Sequence, residues 1–236
     1  ESTAIAATGA RLGAFPLASG SKDAAALAML PAGGYTVHIA GVNNTTGMVL
    51  VEVYDADTAG LPTGARLSNV SARTRVGTGD DILIAGFSIV GPGTPRVLLR
   101  AVGPTLALFN VPDLLADPRI EVYSGPTLVA ANDNWATQTD GVTVATLQAA
   151  AASVGAFPLD SSSKDSVLLL TLPPGGYTAH VSGVNAATGV ALVEIYDASP
   201  SGPSVVAPPP PGTGPESVRA TVVSSMRLLK PHSLSY

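Results

Sequence analysis

At 236 residues and 46% apolar content, the chain can bury the core of one large or two modest domains. Its formal charge of −5 with only 12 Lys plus Arg offers no dense basic cluster for phosphate, which argues against nucleic acid and anionic membrane as partners. The absence of Cys excludes disulfides, thiolate metal sites and a cysteine nucleophile, and Arg100, Gly103 and Pro104 interrupt the longest apolar run, residues 97–109, before it reaches membrane-spanning length.

In chain order, the first feature is a segment that returns later. Gly13–Asp57 aligns without a gap on Gly155–Ser199, 142 residues on, with 28 of 45 positions identical. Both copies read GAFPL, SKD, LP-x-GGYT-x-H, GVN-x-x-TG and LVE-x-YDA. Within the first, Tyr35–Ile39 alternates after a Pro-Ala-Gly-Gly turn and Met48–Tyr54 is rich in β-branched residues, so both are predicted strands. Their counterparts, Tyr177–Val181 and Val190–Tyr196, are predicted alike. Asn43–Gly47 and Asn185–Gly189 read as hairpin loops with glycine at the positive-φ position.

Ala65–Asn134 occurs once, between the copies. It carries further strand signals at Asp81–Val90, Arg96–Val102 and Arg119–Tyr123, separated by Gly91-Pro92-Gly93 and Gly103-Pro104. Only Val142–Val154 has the composition of a short helix. With 25 Gly, 20 Pro and 12% charged residues, strands and turns suit the chain better than helices with charged outer faces.

The fold expectation is therefore all-β: two jelly-roll-like β-sandwich units from a repeat of 142 residues, one incomplete, plus an extended C-terminal tail. Residues 1–64 form the incomplete unit, 65–199 the complete one, 200–215 a Pro-rich linker and 216–236 the tail. The four prolines 208–211 favour a stiff spacer, and beyond it Val218, Ala220, Val222, Met226 and Leu228 fall on one side of an alternating segment. That makes the tail a candidate donor strand for a neighbouring sheet, with those five residues as the subunit contact. The alternative pairing is a permuted sandwich of residues 1–57 with 65–134, leaving 155–199 alone.

The strings RLSNVSARTRVGTGDDILIAGF, RVLLRAVGPTL, LADPRIEVY, LVAANDNWA, LPPGGYTAHVSGVN and GVALVEIYD resemble a β-sandwich repeat of large exported proteins of environmental bacteria. The second part is also similar to bacterial pre-peptidase C-terminal domains. This resemblance implies a secreted accessory or surface module with a jelly-roll-like sandwich and no catalytic residues to transfer.

Candidate chemistry is sparse. His38 and His180 are one repeat position inside a predicted strand and His232 lies in the tail, so structural roles are expected. Glu52 and Glu194, also repeat equivalents, are expected to pair with a cation such as Arg11, Lys22 or Lys164. No G-x-S-x-G elbow, H-E-x-x-H helix or phosphate-binding glycine loop is present, and an enzyme is not expected. Hard oxygens at Asn132, Asp133 and Asn134 form a candidate calcium site, with Thr78, Asp80 and Asp81 as another acidic turn; an Asx turn is the simpler reading of both. Trp135 is either a lid on the core or a sugar platform.

The functional expectation is a secreted, cell-surface structural subunit. It would polymerise head to tail with itself by completing the unfinished sandwich. The alternative is a carbohydrate-binding or adhesion module of a larger exported protein.

Overall fold

The structure, a computed structural model, describes residues 2–45, 47, 49–56, 67–90 and 93–199, and the backbone strand 224–228. It is mostly β. The strands are β1 (Val49–Val53), β2 (Asn69–Val76), β3 (Leu83–Ile89), β4 (Arg96–Val102), β5 (Pro118–Ser124), β6 (Thr127–Asn132), β7 (Ser166–Thr171), β8 (Gly175–Gly183), β9 (Gly189–Asp197) and β10 (Ser224–Leu228). Two helices, α1 (Ser2–Leu12) and α2 (Val144–Ser153), and short 3₁₀ turns complete the described elements.

The strands form two antiparallel sheets, one ordered β1-β10-β3-β8-β5-β6 and the other β2-β9-β4-β7. The main core lies between them. Leu83, Ala85 and Phe87 of β3, Ile120 and Val122 of β5, and Tyr177, Ala179 and Val181 of β8 face Val97, Leu99 and Ala101 of β4 and Ala191, Val193 and Ile195 of β9. Phe87 stacks on Tyr177 with ring centroids 5.3 Å apart. Period-two alternation on β5 and β8 sends one set of side chains inward and leaves the other toward solvent.

β4 does not alternate, because both of its faces are covered. Leu98 points away from the main core into a second cluster with Trp135, Leu147, Val167, Leu169 and Tyr196, which α2 closes. Such two-sided burial turns a strand into a continuous apolar run. Thr143 caps α2 by accepting from the Thr146 N–H at 3.1 Å, and Gly155 ends it at φ 72°.

The segment 65–134 is closed by the second copy through β2·β9, β4·β9, β4·β7, β3·β8 and β5·β8. The permuted pairing with residues 1–57 is therefore not the one adopted. Predicted strands over 81–90, 96–102, 119–123, 177–181 and 190–196 all form, and the helix expected over 142–154 forms as α2. The strand expected over 35–39 does not form. Positive φ in the two GVN loops falls on Asn43 and Asn44, and on Asn185 and Ala186, rather than on the glycines expected there.

Candidate functional site

The two copies share sequence and local geometry but differ in what surrounds them. α1 and α2 stand at the same repeat offset and end alike: Ala14 N–H donates to Gly9 O and Ala156 N–H to Ala151 O, each at 3.0 Å, after Gly13 and Gly155 at positive φ. Tyr35 Oη donates to Pro31 O at 2.7 Å, and Tyr177 Oη to Pro173 O at 2.8 Å. Asn43 and Asn185 share φ 54°, ψ 36°. A Cβ on Gly41 would lie 2.0 Å from Thr45 O, and one on Gly183 2.1 Å from Ala187 O, so both loops demand glycine there. Turns and caps close bonds within a few residues and need nothing else.

Strands need a partner. In the second copy β7, β8 and β9 lie on the ladders of 65–134, and Leu172, Tyr177 and Val181 are 3%, 6% and 0% exposed. Their equivalents Leu30, Tyr35 and Ile39 are 57%, 54% and 50% exposed. Phe15, Leu17, Leu27, Met29, Val37 and Val42 are exposed as well. Nine large apolar side chains between Phe15 and Val42 are thus left exposed.

Polar residues of the motifs show the same contrast. Arg100 of β4 lies directly opposite Glu194 of β9, both almost fully buried, with Nε 2.9 Å from Oε2. The approach is off the N–H line, so it is an ion pair more than a hydrogen bond. Arg100 Nη1 donates to Phe157 O at 2.7 Å, and the guanidinium lies 4.3 Å above the Phe157 ring. Tyr196 Oη donates to Glu194 Oε1 at 2.7 Å. Burial first, then that bond and the Glu194 charge, push the phenol far above its ordinary pKa, with Arg100 opposing.

Glu194 thus pairs with Arg100, not with the expected Lys164, which instead reaches Asp117 Oδ2 at 2.5 Å. In the first copy Tyr54 bonds Glu52 as Tyr196 bonds Glu194, and burial followed by the Glu52 charge raises the Tyr54 pKa. No basic side chain among the described residues stands against Glu52. The SKD motif repeats the pattern. Buried Asp165 accepts Gly103 N–H at 2.8 Å, Thr105 N–H at 3.4 Å, Ser163 Oγ–H at 2.7 Å and the Thr105 hydroxyl. At Asp23 the backbone N–H donates locally to Ser21 Oγ at 3.4 Å, and the side chain is exposed.

β1 is the strand that the first copy does form, and its partner is the tail. β10 runs antiparallel to β1, with Val49↔Leu228, Leu50↔Arg227, Val51↔Met226, Glu52↔Ser225 and Val53↔Ser224, and its other edge meets β3. Of the expected donor residues, Met226 and Leu228 fall in this strand, while Val218, Ala220 and Val222 lie outside the described residues. Arg11 Nη2 donates to Ala56 O at 2.5 Å, tying α1 to the chain just beyond β1.

The remaining candidates have structural surroundings. Asn132 Nδ2 donates to Asn134 O and Thr137 O, both at 3.1 Å, and its Oδ1 accepts Val167 N–H at 3.1 Å. Its carboxamide thereby fastens the loop to β7, while Asp133 is exposed. Thr78, Asp80 and Asp81 sit on a 3₁₀ turn closed by Gly77 N–H to Asp81 O at 2.8 Å. Among the described residues no group of three or more His, Cys, Asp or Glu is placed to hold a metal. Trp135 is buried, with Nε1 donating to Asp160 O at 2.9 Å, so its faces serve the second cluster and not a sugar. His180 packs at 4.8 Å on Tyr123, and burial lowers its pKa against the pull of Glu121.

Sequence missed α1, β2, β6 and β7, and it missed Arg100 as the partner of Glu194. The legible signal for Arg100 was a lone charge in an apolar run. Comparison with family models, with curated proteins and with solved structures gave no match to this chain.

Proposed function

We propose that the chain is a structural subunit of an extracellular filament or surface layer, joined head to tail when a neighbouring chain completes the first repeat copy. One observation carries this reading: residues 13–57 repeat a segment that is buried in a sandwich at 155–199, yet the large apolar side chains from Phe15 to Val42 are exposed. Leaving that surface in water forgoes about 25 cal/mol per Å² of apolar area. A second copy of the same chain is an occupant available at any concentration at which the protein exists. A head-to-tail contact between unlike surfaces propagates unless its rotation closes a ring.

A charged fraction of 12% suits a close-packed exterior. The resemblance of the repeat to modules of exported bacterial proteins supports the same reading. The test is negative-stain electron microscopy with size-exclusion chromatography on the purified chain at micromolar concentration. Regular filaments or a concentration-dependent ladder of oligomers are expected. A monodisperse monomer over the whole range overturns the reading and directs attention to glycan binding as an adhesion module.

A further inference from the structure

The way β10 meets β1 reproduces, residue for residue, the way β2 meets β9. β2 pairs with β9 as Val70↔Ile195, Ser71↔Glu194, Ala72↔Val193, Arg73↔Leu192 and Thr74↔Ala191. Shifted by the repeat length, those β9 residues are Val53, Glu52, Val51, Leu50 and Val49, and β10 sets Ser224, Ser225, Met226, Arg227 and Leu228 against them. Serine stands opposite the repeated glutamate and arginine opposite the repeated leucine on both ladders. Both ladders are antiparallel. Register in a sheet is set residue by residue, since a slip of one turns every side chain to the other face.

We infer that the tail strand is a stand-in for β2, and that in the assembly the β10 of one subunit receives the β1 of the next. This rests on the assembly reading above and names its joint. β10 is already anchored on its other edge to β3 of its own chain, through Met226↔Ala85 and Arg227↔Ile84. The donated strand therefore carries the six-stranded sheet of one subunit directly into the first copy of its neighbour. In the structure the same ladder is closed within one chain. The exchange is a domain swap, in which an identical contact is made by another copy of the same element. The chain joining Val53 to Asn69 spans at most about 50 Å when extended, enough to carry β1 to an adjacent subunit. A strand added to β1 on this side also leaves uncovered the opposite edge, where β4 lies on β9.

A Cys-free chain makes the test clean, because each introduced thiol is the sole one in its molecule. Val51→Cys and Met226→Cys are prepared as separate full-length proteins, mixed and oxidised, with Val53→Cys plus Met226→Cys as the out-of-register control. Facing positions lie within disulfide reach, whereas positions offset by two are some 7–8 Å apart and are not. The expected result is a mixed disulfide dimer formed at least about tenfold faster by the facing pair than by the control. Filaments seen in the microscope without that dimer overturn the strand exchange while leaving assembly standing. A third protein carries Val51→Cys and Met226→Cys in one chain; if it gives only an internal disulfide and the protein stays monomeric, both the exchange and the assembly reading fall.

Discussion

Arg100 and Glu194 face each other across two strands at 2.9 Å, nearly sealed from water, while the repeat equivalent of that glutamate, Glu52, is only partly buried and lies on an edge strand with no counterpart of β4 beside it among the described residues. Removing one partner of a buried ion pair strands the other charge, at about 3–5 kcal/mol. Arg100→Met is therefore expected to destabilise the protein by that amount in urea denaturation, whereas Glu52→Gln shifts it by less than about 0.5 kcal/mol. Equal effects from the two would contradict the difference in surroundings.

Tyr196 gives the fold an alkaline limit. Its phenol is raised above an ordinary value of 10.0 by burial and by Glu194, so its neutral form is the one the folded state favours. The associated stability is full below pH about 10 and is lost as pH climbs toward the folded-state value. Melting temperature is expected to fall above pH 10, and Tyr196→Phe to flatten that fall while costing about 1–3 kcal/mol at neutral pH through the unpaired Glu194 oxygen.

Asp165 holds the Gly103–Thr105 turn by three hydrogen bonds and accepts a fourth from Ser163, whereas Asp23 is exposed. Asp165→Ala is expected to cost about 3 kcal/mol or more, with Asp23→Ala near neutral. Paired thermal melts of the two variants decide it.

Asn132→Ala removes the acceptor of the Val167 N–H and both donors to the loop. A loss of about 2 kcal/mol is expected, together with a red shift of Trp135 emission as the loop loosens over the second cluster. An unchanged emission maximum would mean that the loop is held by other contacts.

The first copy should be the first part of the chain to be cut. Limited proteolysis of the free subunit is expected to cleave within residues 18–40 while 155–199 stays intact, because backbone outside a ladder opens at little cost. Assembled material is expected to resist at the same sites, and equal cleavage in both states would place the first copy outside the joint.

What was legible in the sequence divides along physical lines. The Pro-Pro-Gly-Gly turn at 173–176 acts over a few residues, so its signal could be read directly, whereas positive φ in the GVN loops was expected on glycine and falls on Asn185 and Ala186. The strands of 65–134 were visible through β-branched runs such as Arg96–Val102. The tyrosine strand 35–39 was predicted from the same letters that make β8 and does not form, since a ladder needs a partner that propensity does not supply. Arg100 and Glu194 are joined only by the β4·β9 register, which no local window contains. β7 escaped notice because both of its faces are covered.

The residents of the 65–134 half are also chosen by size. Where the second copy buries Val167 and Leu168, the first has Ala25 and Ala26, roughly five methyl or methylene groups fewer, or about 4 kcal/mol of lost burial. Where the second copy has the fully enclosed Ala179 and Ala191, the first has Val37 and Val49, which are too large for spaces already filled. Too small at one end and too large at the other, the first copy loses the competition for the seat inside its own molecule, by a factor on the order of a thousand from the missing carbons alone. Kinship between the two segments is thus kept from becoming confusion between them.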